Sequence, residues 1–262
     1  MTCRGLSPFT SYMMWDHDKV LGIGSTTAWA AGGALAAGLT AWTAPALVSA
    51  RVLGSRARPR QAGRGRAGHV ALTFDDGPDP QGTPAVLDAL WQLEWTATFF
   101  MLGSQVAAYP DVAREVVRAG HEVAVHGWEH RNHMLRTPGD VRQDLARAAT
   151  EILETTGHRP LWFRPPYGVL GPGTIGAAKA QQLQPILWTT WGKDWLPRTA
   201  QDVADTVIAH LRPGGTILLH DSDCQARASQ TWRATADSLW LIASTVSALG
   251  VAVGPLRDHF EP

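Results

Sequence analysis

The sequence predicts an α/β fold: a parallel sheet of about seven strands with covering helices, either open or closed into a barrel. Three observations carry this. From residue 69 onward, short apolar runs alternate with segments of helical periodicity, the pattern of strand–helix–strand crossovers. At 45% hydrophobic and 18% charged, the 262-residue chain can bury a core. The polar, Gly/Pro-rich punctuation falls directly after the apolar runs, where α/β folds place their chemistry.

The elements follow in order. HVALTF (69–74) is an apolar strand that ends in the turn-rich DDGPDP. Thr83 to Leu93 reads as helix, with Pro84 at its start. TATFFML (96–102) is strand-like. Asp111 to Ala119 is helical and stops at Gly120. HEVAV (121–125) is strand. Thr137-Pro138-Gly139-Asp140 reads as a capping box with Pro at the first helical position, opening a helix to about Thr156. LWF (161–163) and PILW (185–188) are strands, with a weak helix near 173–183 between them. Thr199 to Leu211 is helix and TILLH (216–220) strand. Trp232, Leu239, Ile242, Val246 and Leu249 keep helical spacing, and VAV (251–253) is the last strand.

The first 66 residues are a different kind of sequence. Of 23 basic and 23 acidic residues, eight and two fall there, so the remainder carries 15 against 21. An acidic body excludes nucleic acid as a partner, because phosphate contacts need clustered Lys/Arg. Cys3 and Cys224 are too few for a disulfide framework or a Cys-rich zinc module. Val20 to Ala50 is uncharged and longer than the ~20 residues that cross a bilayer, though rich in Ala and Gly. Residues 1–50 are therefore read as a targeting or membrane segment that brings membrane contact through 20–50. It is either a retained anchor or a signal peptide cleaved after Val48-Ser49-Ala50. The expected location is the cell envelope, anchored or secreted. Arg51 to Arg66 weigh against this, since positive residues after an apolar run tend to stay cytoplasmic. Residues 51–67 read as a flexible Arg/Gly-rich linker, leaving 68–262 as the folded domain.

Asp75 and Asp76 end the first strand. Neighbours leaving a strand point to opposite sides, so one carboxylate could hold a metal while the other works as a base. In HGWEHRNH, His126 and His130 are four apart. On a helical turn both imidazoles face one way, as a bidentate metal site requires, and His133 continues that face. The segment also matches H-x-x-E-H with Glu129 as a protease base. That reading needs a helix through Gly127, which costs about 1 kcal/mol relative to Ala, and leaves Asp75, Asp76, Arg164 and His220 idle. In FRPPYG, Arg164 is a permanent cation able to grip a carboxylate, on a loop stiffened by Pro165 and Pro166. Asp194 and Trp195 follow the fifth strand. Four tryptophans (162, 188, 191 and 195) suit either a core or the apolar faces of sugar rings. His220 ends the sixth strand, a position for a general acid.

In order, LTFDDGPDP, HGWEH, RPPYG, DW and LLHD resemble the five motifs of the polysaccharide deacetylase family (carbohydrate esterase family 4), over residues 69–255. The resemblance implies a distorted (β/α) barrel and a metal-dependent hydrolase that removes acetyl groups from N-acetylated, or O-acetylated, glycans. It implies a divalent metal, normally Zn2+, on Asp76, His126 and His130. Asp75 resembles the base, Arg164 the residue that orients it, and His220 the acid, tuned by Asp194. The Tyr167 backbone N–H resembles the oxyanion donor, and Trp195 with Leu218 the wall around the acetyl methyl. Gly127 stands where the family usually has Ser or Thr. Thr189 and Trp191 stand where Asp is common. A non-catalytic glycan-binding domain of the same fold and a zinc peptidase on His126-Glu129-His130 are the alternative readings.

Overall fold

The computed structural model describes residues 58–260. Val20–Ala50 and the cleavage pattern lie outside the described residues. Among those, no helix is long and apolar enough to cross a membrane.

The described residues form eight strands: β1 (His69–Asp75), β2 (Thr98–Met101), β3 (Glu122–Val125), β4 (Trp162–Phe163), β5 (Gln184–Pro185), β6 (Thr190–Trp191), β7 (Thr216–His220) and β8 (Ala252–Gly254). Every ladder is parallel. Seven strands run in the order β5-β4-β3-β2-β1-β7-β6, and β8 pairs with the first half of β1. This is a curled half-barrel, open between its end strands β5 and β6. The helices are α1 (Gly82–Gln92), α2 (Gly103–Ala108), α3 (Pro110–Arg118), α4 (Pro138–Thr156), α5 (Thr174–Ala180), α6 (Ala200–His210), α7 (Thr231–Leu249) and α8 (Leu256–Phe260). The capping box on Thr137 and Asp140 forms at the start of α4, and a second one, Thr199 with Asp202, starts α6.

Strand alternation sets the layers. On β1, Val70, Leu72 and Phe74 face outward into the main core beneath the helices. Ala71 faces inward, into a small cluster with Phe100, Ala124, Trp162, Ile186 and Leu256. That cluster plugs the base of the half-barrel. Counting in twos from Ala71, Thr73 and then Asp75 face the same interior, with Asp75 at the open upper end.

Three local expectations are corrected. The single strand expected at 185–188 is two short ones at opposite edges of the sheet, β5 paired with β4 and β6 with β7. Residues 58–66 are not a free linker. Gly65 N–H donates to Gly214 O, Leu187 N–H to Gln61 O, and Thr216 Oγ1 to Gly63 O. The glycines that read as flexibility permit close approach instead: a Cβ on Gly65 would stand 2.4 Å from the His259 carbonyl oxygen. The third correction concerns the histidine pair.

Candidate active site

The site lies at the C-terminal ends of the strands, where the inward rows of four strands finish. Asp75 closes β1 and His220 closes β7, directly opposite each other in register. His126 and Arg164 each follow one residue after β3 and β4. Asp76 should point away by alternation. It does not, because its φ of 78° turns the chain left-handed and swings the carboxylate back inward.

His126 and His130 are not on a helix. The chain bends after His126 at Gly127, whose φ is +106°, and this bend brings both rings to the same place. The helical spacing was the wrong mechanism for a convergence that occurs. His133 is not part of the group: its ring stacks on Phe163 and its Nδ1 lies 3.2 Å from Thr174 Oγ1. Glu129 is half-exposed and paired with Arg131. Without a helix under the two histidines, the peptidase arrangement is not formed.

Asp76, His126 and His130 each offer an atom within 4.8 Å of the others, the one such group of three among the described residues. Asp76 Oδ1 is 3.3 Å from His126 Nε2 and 3.7 Å from His130 Nε2, and it is buried without a hydrogen-bond partner. His126 Nδ1 is 2.8 Å from the Arg164 carbonyl, which can only accept. The proton therefore sits on Nδ1, and the Nε2 lone pair faces Asp76. Burial opposes the Asp76 charge, yet His130 and His126 hold its carboxyl well below the usual range. Burial pushes His130 down to about 4, so its ring is neutral. Burial also works against a charge on His126, but Asp75 and Asp76 outweigh it and raise its pKa. An orphaned buried carboxylate oxygen facing two imidazole nitrogens fits a divalent cation with N/O ligands, zinc among them.

Asp75 keeps its two oxygens for two tasks. Oδ1 is 2.6 Å from Arg164 Nη1, while Oδ2 faces the triad, 3.8 Å from His126 Nε2. Arg164 is fully buried and anchored from below. Its Nη1 also donates to Thr73 Oγ1 at 2.8 Å, its Nη2 to Leu187 O, and its guanidinium lies 4.1 Å over the Phe100 ring. Thr73 was missed in the sequence, although it is the inward residue two before Asp75.

Across the cleft, Asp194 holds His220 at two points. Oδ1 is 2.9 Å from His220 Nδ1, and Oδ2 accepts the His220 backbone N–H at 2.7 Å and Thr235 Oγ1 at 2.8 Å. Burial disfavours the imidazolium, but Asp194 outweighs burial and His220 is pushed up to about 9. Thr235 sits on α7, 41 residues from Asp194, with no sequence signal to join them. Trp195 meets His220 edge-on at 5.6 Å, and Leu218 is buried one inward step below. Tyr167, at φ 61°, sits in a tight turn closed by Gly168 N–H onto Pro165 O. No carbonyl among the described residues accepts from its own N–H. Its exposed ring lies edge-on to His130 at 4.4 Å.

A family model described as "Polysaccharide deacetylase" matches residues 62–186. The chain is 36% identical over 153 residues to a chitooligosaccharide deacetylase of Bradyrhizobium sp., covering 58% of this chain and 70% of that one. It is 35% identical over 152 residues to a peptidoglycan-N-acetylglucosamine deacetylase of Listeria monocytogenes, covering 58% of this chain but only 32% of that one. Among solved structures, a peptidoglycan N-acetylglucosamine deacetylase superposes with a TM-score of 0.71 at 27% identity, over 76% of this chain and 92% of that chain. A family 4 acetyl xylan esterase from Clostridium thermocellum, in complex with a cobalt ion, superposes with a TM-score of 0.65 at 31% identity, over 72% and 89%.

Proposed function

The chain belongs to the polysaccharide deacetylase family, and on that premise we propose that it is a divalent-metal-dependent hydrolase releasing acetate from N-acetylated glycans. The observation that carries the reading is that Asp75, Asp76, His126, His130, Arg164, Asp194 and His220 converge on one cleft from five separate stretches of the chain.

Asp76, His126 and His130 would hold the ion, zinc in our reading. A divalent ion there would supply Lewis-acid polarisation of the acetyl carbonyl and an acidified water. The chain's own residues do the rest. Asp75 Oδ2 accepts the proton of the attacking water, since Oδ1 is committed to Arg164. The Tyr167 N–H donates to the oxygen that gains charge, a contribution of about 3–4 kcal/mol where such donors have been removed. His220 is protonated at neutral pH and gives its proton to the leaving nitrogen, while Asp194 keeps it charged and fixes Nδ1 as the inner nitrogen. Trp195 and Leu218 shape the apolar pocket for the acetyl methyl.

We also propose that Val20–Ala50 directs the chain to the cell envelope, where acetylated polymers lie. Recovery of the full chain in the soluble cytoplasmic fraction alone would refute this. For the chemistry, a panel of chitin oligomers, peptidoglycan and acetylated xylan is scored for released acetate, with and without a chelator. We expect release from N-acetylated substrates that the chelator abolishes and added metal restores. Release insensitive to chelation would defeat the reading.

A further inference from the structure

We infer that Asp144, on α4, is a positioning residue for the metal site: its carboxylate clamps the Gly127–Trp128 bend that makes His126 and His130 converge. The inference rests on the metal-site reading above. Asp144 stands out among its neighbours. The buried row of α4 is otherwise Val141, Leu145, Ala148 and Ile152. A carboxylate in an apolar row is unfavourable unless it is fully paired. Asp144 is 7% exposed, and both of its oxygens are engaged. Oδ2 accepts the Trp128 backbone N–H at 2.8 Å, and Oδ1 pairs with Arg136.

The other polar groups of the bend are held as well. Gly127 O accepts from Gly103 N–H and Trp128 O from Ser104 N–H, at 2.9 and 3.0 Å. The Trp128 ring is capped by the Arg147 guanidinium, 3.4 Å from its centroid. Of these holds, only Asp144 supplies a charged acceptor, which makes the stronger class of hydrogen bond. Position 127 shows why the carboxylate and a glycine go together. A Cβ there would stand 3.1 Å from Asp144 Oδ2, on a backbone of φ +106°. The carboxylate therefore occupies the space that a side chain at 127 would fill. The hydrogen-bonding partners of Asp144, the Trp128 N–H and Arg136, include neither proposed histidine ligand. It acts through the backbone between the two histidines.

The test is titration of the metal-free full chain with Co2+, followed by its visible absorption, beside thermal melting. We expect Asp144→Ala to weaken Co2+ binding by about 10–100-fold, the size seen when residues behind metal ligands are removed. Asp144→Asn keeps an oxygen for the Trp128 N–H and should recover most of that loss. Gly127→Ala should weaken binding in the same direction, because its methyl strains a backbone of φ +106° and crowds both the carboxylate and the Glu129 carbonyl. Wild-type affinity in Asp144→Ala overturns the inference, as do equal losses in Asp144→Ala and Asp144→Asn. If Asp144→Ala does not fold, Asp144→Leu, which suits the apolar row but cannot accept from the Trp128 N–H, decides, and wild-type affinity there overturns it. Failure of the wild-type chain itself to bind Co2+ would instead overturn the metal-site reading.

Discussion

At the scale of single residues, the two carboxylates that end β1 differ in what else they touch. Asp75 is gripped by Arg164 and Asp76 is left with an unpartnered oxygen, so their substitutions should separate. Asp75→Asn should keep the metal and lose roughly 10²–10⁴-fold in turnover, the range for a general base. Metal content measured beside kcat checks this, and loss of the metal would mean the roles are exchanged. Glu129→Gln should be mild, since Glu129 faces solvent with Arg131. On the acid side the sign is fixed by the charge. His220 must be protonated to donate, so activity should fall as pH rises through its pKa. Asp194 is what holds that pKa up, near 9. Asp194→Asn should therefore move the alkaline limb of kcat/KM toward lower pH, and an unmoved limb would mean that His220 is not the acid. His220→Ala should slow amide cleavage more than cleavage of an activated ester, whose leaving group needs no proton. Equal losses on both would remove His220 from that role.

At the scale of elements, period-two alternation explains how much of the site was readable. Asp75, His126, Arg164 and His220 each fall at the inward end of a strand or one step beyond it, so polar residues after apolar runs were a sound signal. What alternation cannot give is a residue that breaks it. Asp76 reaches the site through a left-handed φ, and His130 through the bend at Gly127; neither φ is written in residue spacing. The i,i+4 spacing of the histidines suggested a helix, but β3 runs to Val125 and Gly127 disfavours helix, so the chain turns instead. The helix α2 was missed because it is six residues long and its N-cap position, Leu102, offers no side-chain cap. Where capping chemistry was present it was legible. Thr137→Ala should cost α4 about 1 kcal/mol in a denaturant melt. It should leave Co2+ affinity alone, because the capping box lies seven residues before Asp144. A cap mutant that also lost metal would show that the frame of α4, and not the Asp144 clamp, sets the bend.

At the scale of the whole molecule, the base of the half-barrel is covered by segments that flank its central strands. Residues 58–66 cross beneath it, β8 pairs with the start of β1, and α8 returns His259 to His69, with the two Nδ1 atoms 2.9 Å apart and buried. One of those nitrogens must donate and the other accept, so a second proton there breaks the contact. Burial, reinforced by His69, holds His259 down to about 4, and His69 itself is lowered by burial and by Arg66. His121, below β3, is likewise held down to about 4 by burial and by Arg257. The unfolded chain protonates these imidazoles near 6.5, above their folded values. Between about pH 6.5 and 4 the unfolded state therefore binds more protons, and acid favours unfolding. The contribution is fully present above 6.5 and is lost as pH falls toward 4. Thermal melting of the metal-free chain should drop by several degrees from pH 7 to 4.5. His259→Asn places a non-titrating amide near the Nδ1 position and should flatten part of that slope. A melting temperature level across this range, or a slope that His259→Asn leaves intact, would mean that the base of the barrel is not held by neutral histidines.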